Sequence, residues 1–173
     1  MRALLAVAAL LVAPVAQAQT CLSTSEAQAV AQVALPEIIR ETGRVCQRVL
    51  PATSLVRRPS GPFIAKYQAA ADAAWPAASA AIGKLSDPSL SSLVQSDYAR
   101  PLLVSLLVPQ LVGRVAASDC GTIDTLVTQL APLPARNTAV IVVTTLKYLK
   151  AEQAKGNRQV ADVPDLPICA TRR

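Results

Sequence analysis

Four cysteines, Cys21, Cys46, Cys120 and Cys169, together with a complete lack of histidine, set the chemistry open to this 173-residue chain. No two of the cysteines have CxxC spacing, so zinc-ribbon, redox-motif and haem-attachment chemistry lack their ligands. Without histidine the commonest general base, the usual serine triad and most metal sites are missing as well. We therefore expect no metal and no cofactor. An even set of cysteines in an oxidising compartment pairs into disulfides, and two are expected here.

The remaining ionisable groups offer little for catalysis. Glu37 and Glu41 share one helix face, and paired carboxylates can divide acid and base roles in a small carboxylate-dependent hydrolase. The same residues stand three positions before Arg40 and Arg44, the spacing of ion pairs on a helix surface, and that reading fits better. There is no SxxK, GxSxG, P-loop or GxGxxG pattern. The chain reads as a non-enzymatic protein.

Arg40, Arg44 and Arg48 recur at steps of four, and Arg57 and Arg58 follow in the next loop. Five guanidinium groups near one another could engage phosphate, lipopolysaccharide or an acidic partner. That makes an envelope or anionic-surface binder a second reading. The simpler one is a solvated face partly neutralised by Glu37 and Glu41. Nucleic acid is not expected, since no nucleic-acid motif accompanies the charge. Tyr67 and Trp75 are candidate walls for a pocket opened by proline kinks.

These groups must be carried by an exported chain. MRALLAVAALLVAPVAQA places Arg2 before an apolar stretch and ends on Ala16-Gln17-Ala18, the pattern of a cleaved secretory signal over residues 1–18. The stretch is too short for a membrane span, which needs about 20 apolar residues. Ala18-Gln19-Thr20 before Cys21 does not suit lipid attachment. Without residues 1–18 the chain shortens to 155 residues and its net charge falls from +6 to +5. That length suits one domain, residues 19–173, in the periplasm or outside the cell.

Apolar periodicity predicts an all-α fold: a compact bundle of about five to six helices with proline kinks, two disulfides and an extended C-terminal tail. A capping box of Ser23 and Glu26 opens a first helix over 24–42, striped by Ala27, Val30, Ala31, Ala34, Leu35, Ile38 and Ile39 and ended by Gly43. Residues 51–62 read as a loop. Pro62 starts a second helix that Gly83 ends, and Asp87-Pro88 opens a short third with Leu90, Leu93, Val94 and Tyr98 facing inward.

Pro101 opens a fourth helix reaching about Ala117. Its thirteen uncharged residues between Arg100 and Arg114 are too few to cross a bilayer and suggest that this helix, with the apolar part of the last one, is the axis around which the others pack. A fifth helix presents Ile123, Leu126, Val127 and Leu130. For residues 135–155 the β-branched AVIVVTTL would suit a strand, but its length and lysine-rich continuation favour a helix. Pro36, Pro76 and Pro109 each interrupt an apolar stripe and would kink or split a helix. Residues 157–173 form the tail, tied down through Cys169.

Helix length bears on the disulfides. A first helix of about 28 Å separates Cys21 from Cys46, beyond the ~7 Å that a bridge allows. Two pairings remain, and we favour Cys46–Cys120 with Cys21–Cys169. The expected function is that of an exported helical binding or interaction module, whose partner is a protein or an apolar or anionic envelope ligand. After signal cleavage nothing is expected to span the membrane.

Overall fold

The computed structural model describes residues 21–157, 164 and 166–169. The expected signal sequence over 1–18 and most of the expected tail lie outside the described residues. Six α-helices follow one another: α1 Thr24–Val45, α2 Pro62–Leu85, α3 Ser91–Val94, α4 Ala99–Val112, α5 Cys120–Leu130 and α6 Ala135–Ala154. Among the described residues there is no strand, only one isolated bridge between Leu22 and Ile168. The AVIVVTTL stretch is helical within α6. Both disulfides are those favoured from the sequence: Cys21–Cys169 with Cα atoms 5.0 Å apart and Cys46–Cys120 at 5.6 Å. Such bridges belong to proteins of oxidising compartments.

The centre of the bundle is α1, not α4 as the apolar content of α4 had suggested. α2 and α6 run antiparallel to α1: Leu35 and Ile39 meet Ile64, Tyr67, Ala135 and Ala139, while Ala27 meets Ala81 and Val143. α4 runs parallel to α1, with Leu103 and Val104 beside Ala29 and Val33. α1 therefore buries two faces. Its second stripe, Ala29, Val33 and Pro36, escaped the single-stripe expectation because alanine and valine there serve a close approach to α2. The small residues Ala71, Ala78 and Ala81 of α2 line that contact.

α4 is flanked by solvent instead. Its buried residues are Ala99, Val108 and Val112, whereas Leu106 is 60% exposed. An apolar composition records what a helix can bury, and α4 finds only one close partner along its length. Leu90, Leu93 and Tyr98, expected to face inward, are exposed, with Val94 half-buried. The third helix is only a 3₁₀ turn followed by four residues, too short to hold a stripe. Leu126 of α5 is likewise exposed, whereas Ile123, Val127 and Leu130 are half-buried.

The helix ends show what the prolines and glycines do. Ser23 and Glu26 form the expected capping box: the Ser23 N–H donates to the Glu26 carboxylate at 2.7 Å, and the Glu26 N–H to Ser23 Oγ at 3.3 Å. Pro36, Pro76 and Pro109 all lie inside continuous helices, so none splits its helix. Gly43 does not end α1, which continues to Val45. It is buried, and a Cβ there would collide with the carbonyl oxygen of Val56 in the following loop. Gly83 lies two residues inside the end of α2, and α4 stops at Val112, before Gly113, rather than near Ala117.

Candidate functional site

α4 and α6 both pack on α1 but make little contact with each other. The space between them is an apolar cavity of about 220 Å³. Its floor is α1, through Ala31, Ala34, Leu35 and Ile38. One wall is α4, through Leu103, Leu107 and Leu111, and the other is α6, through Val142, Val143 and Leu146. The positions in each helix recur every three or four residues, so each helix turns one coherent stripe to the cavity. Among the described residues Ser86 is the one in the lining with a polar side chain, and its hydroxyl donates to the Ile82 carbonyl at 2.8 Å.

The C-terminal strap borders the cavity. Leu166, Pro167 and Ile168 lie over it beside Leu22 and Leu85. The strap is held at several points: the Leu22 N–H donates to the Pro167 carbonyl at 2.6 Å, and the Cys169 N–H to the Leu22 carbonyl at 2.8 Å. Lys150 Nζ donates to the Leu166 carbonyl at 2.7 Å, and the Cys21–Cys169 bridge fixes the end. At the capping box beneath it, Lys84 Nζ meets Glu26 at 2.6 Å. That ammonium, with the Ser23 N–H, pulls the Glu26 carboxyl down from the usual 4.5 to about 2.

Leu35, Ile38 and Val142 also border a second cavity of about 160 Å³, walled further by Thr42, Val56, Phe63, Tyr67, Ile123, Val127, Leu130 and Thr138. Its polar groups are already engaged. The hydroxyls of Tyr67 and Thr138 bond each other at 3.2 Å, and Thr42 Oγ1 donates to the Ile38 carbonyl at 2.7 Å. Beside it, Lys66 donates to the carbonyls of Ala131 and, at 2.8 Å, Leu133, and stands 5.0 Å from the Tyr67 ring centroid. Burial lowers its ammonium pKa. Lys66 thereby satisfies carbonyls at the end of α5.

The residues singled out by sequence fall elsewhere or into structural roles. Tyr67 lines this second cavity, but Trp75 lines a separate open cleft of about 680 Å³ with Ser79, Val94 and Arg100, so the two do not share a pocket. Glu37 accepts from Arg40 at 3.2 Å and from Arg44 at 3.0 Å, and Arg44 reaches Glu41 at 2.5 Å. Arg57 donates to the Leu50 carbonyl at 2.7 Å within its own loop, while Arg48 and Arg58 are exposed. The five arginines thus do not converge on one pocket. Cys46 and Cys120 are fully buried with Leu50 and Val56, and join the end of α1 to the start of α5.

The cavity itself was missed from sequence. Its signal was present in the leucines at 103, 107 and 111, but those positions were assigned to a packed axis. Among the described residues no group of three or more acidic, cysteine or histidine side chains could hold a metal ion. No single helix there is long and apolar enough to cross a membrane. No protein-family model matches the chain, and neither a curated protein nor a solved structure is detectably similar to it.

Proposed function

We propose that the chain is an exported, non-enzymatic binding module, periplasmic or extracellular, that takes the hydrocarbon chain of a linear lipid-like ligand between α1, α4 and α6. The observation that carries this reading is the 220 Å³ cavity in which, among the described residues, Ser86 alone of the lining has a polar side chain. Ligand sites are typically apolar clefts of about 300–1,000 Å³ with few polar groups. At 220 Å³ this cavity lies somewhat below that range, and its lining residues Leu35, Ile38 and Val142 also border the second cavity of about 160 Å³.

Shape selects the ligand class. The lining residues run from Leu103 to Leu111 on α4 and from Ala27 to Ile38 on α1, lengths of about 12 to 16 Å at 1.5 Å per residue. An elongated, apolar lining of that length suits a linear hydrocarbon chain. Among the described residues no cation lines the cavity, which suits a tail whose polar head stays at the mouth. The signal-like sequence over 1–18 and the two disulfides support export. The paired state of Glu37 and Glu41 gives the hydrolase reading no support.

Titration of the mature protein with a fluorescent polyene fatty acid, followed by displacement with palmitic acid, tests the reading. One saturable site per chain, emptied by palmitic acid, is expected. Absence of saturable binding, or probe that palmitic acid does not displace, would refute it. Mass spectrometry of molecules co-purifying with the native protein would then identify the bound class.

A further inference from the structure

α4 has a second apolar face that the bundle does not use. Tyr98, just before the helix, and Leu102, Leu106 and Pro109 fall at i, i+4, i+8 and i+11, which is one stripe of a helix. All four are exposed, Tyr98 by 76%, Leu106 by 60% and Leu102 by 42%. The opposite stripe, Leu103, Leu107 and Leu111, walls the cavity. The segment between Asp97 and Asp119 holds no carboxylate, and the chain without residues 1–18 carries a net charge of +5. No single helix among the described residues is long and apolar enough to cross a membrane, and α4 and the segment leading through α5 meet at 85°.

We propose that this outer face of α4 docks the protein on an anionic lipid bilayer, with Leu102 and Leu106 inserted among the upper acyl carbons and Tyr98 at the headgroup level. The bilayer fits better than a protein partner on three counts. A single stripe on a 14-residue helix is narrow against the about 800 Å² per partner that a stable complex buries. An interfacial helix needs only its apolar face sunk by about 5–10 Å. A tyrosine at the helix end and an excess of positive charge match the aromatic and electrostatic preferences of an anionic interface. Docking would also bring the cavity wall against a source of hydrocarbon chains, but the surface contact stands whether or not the cavity takes a ligand.

Co-sedimentation of the mature chain with vesicles of phosphatidylglycerol and phosphatidylethanolamine, compared with phosphatidylcholine alone, tests the proposal. Binding to the anionic vesicles is expected, and Leu102→Asp with Leu106→Asp should weaken it by about ten-fold or more while leaving thermal unfolding and fatty-acid binding unchanged. Leu106→Trp provides an independent readout that does not depend on the double variant folding. Its emission should shift to the blue on vesicles and be quenched by brominated lipids, beyond any change from Trp75 in the parent.

No binding to anionic vesicles overturns the proposal, as does binding that survives the double substitution. Loss of binding in Arg48→Glu with Arg58→Glu, with the leucine variant unaffected, would move the contact to the arginines. Self-association of the parent that the leucine variant abolishes, without vesicle binding, would assign the stripe to a second copy.

Discussion

Ala31→Leu separates a ligand cavity from a merely loose core. Ala31 lies in the cavity floor and is only half-buried because space stands in front of it. Leucine adds three carbons, which at about 0.8 kcal/mol per buried carbon contribute about 2.4 kcal/mol. The restricted leucine rotamers take back about 0.5–1 kcal/mol, leaving a net gain of about 1.5 kcal/mol. In a domain of this size that raises the thermal midpoint by about 3–6 °C. The same three carbons occupy volume that an alkyl ligand would fill, so its affinity should fall by about fifty-fold, the equivalent of about 2.4 kcal/mol.

Differential scanning calorimetry and fatty-acid titration on parent and variant read the two effects. Stabilisation together with weakened binding is the expected result. A loss of about 1–3 kcal/mol would mean that the added carbons overpack the floor and that the space does not exist. Stabilisation with unchanged binding would show that ligand sits elsewhere.

Replacing Cys21 and Cys169 together by serine should lower stability by about 2–4 kcal/mol, as expected for opening a long covalent loop, and should speed ligand dissociation measured by stopped flow, because the strap over the cavity is released. Gly43→Ala should destabilise by about 2 kcal/mol or more in denaturant titration, since its methyl would meet the Val56 carbonyl. The same change at Gly121, where nothing lies within 4 Å, should not destabilise. Glu26 has its carboxyl held at about 2 by Lys84 and Ser23. A depressed folded value stabilises above the unfolded carboxylate range and loses that contribution as pH falls from 4.5 toward about 2. Thermal midpoints across that window should drop less steeply in Glu26→Gln than in the parent.

Much of the fold could be read from local signals with a strong physical cause. The Ser23–Glu26 capping box needs only its own four residues, and the length of the first helix weighed against Cys21–Cys46 provided that Pro36 did not break it, as it does not. What escaped was partnership. α4 and α1 both look apolar, and nothing in a single stripe says how many neighbours it will meet. α1 carries alanines on two faces and can accept close neighbours on both; α4 carries leucines all round and still leaves Leu102 and Leu106 exposed.

The arginines illustrate the same limit from the charged side. The spacing of Glu37 with Arg40 and of Glu41 with Arg44 matched the observed ion pairs, because i, i+3 contacts are internal to a helix. Placement of Arg57 depended on the loop that folds it back onto Leu50. The cavity depended on three helices and a strap distant in sequence, so only the assembled bundle reveals it.

The central claim, that a linear hydrocarbon chain lies between α1, α4 and α6, is tested most directly by leucine-methyl NMR during titration with palmitic acid below its aggregation threshold. The account predicts saturable shifts at Leu35, Leu103, Leu107, Leu111 and Leu146, with the exposed Leu90, which lines neither cavity, unmoved. Shifts confined to the exposed methyls of Leu102, Leu106 and Leu126, or none at all, would contradict it.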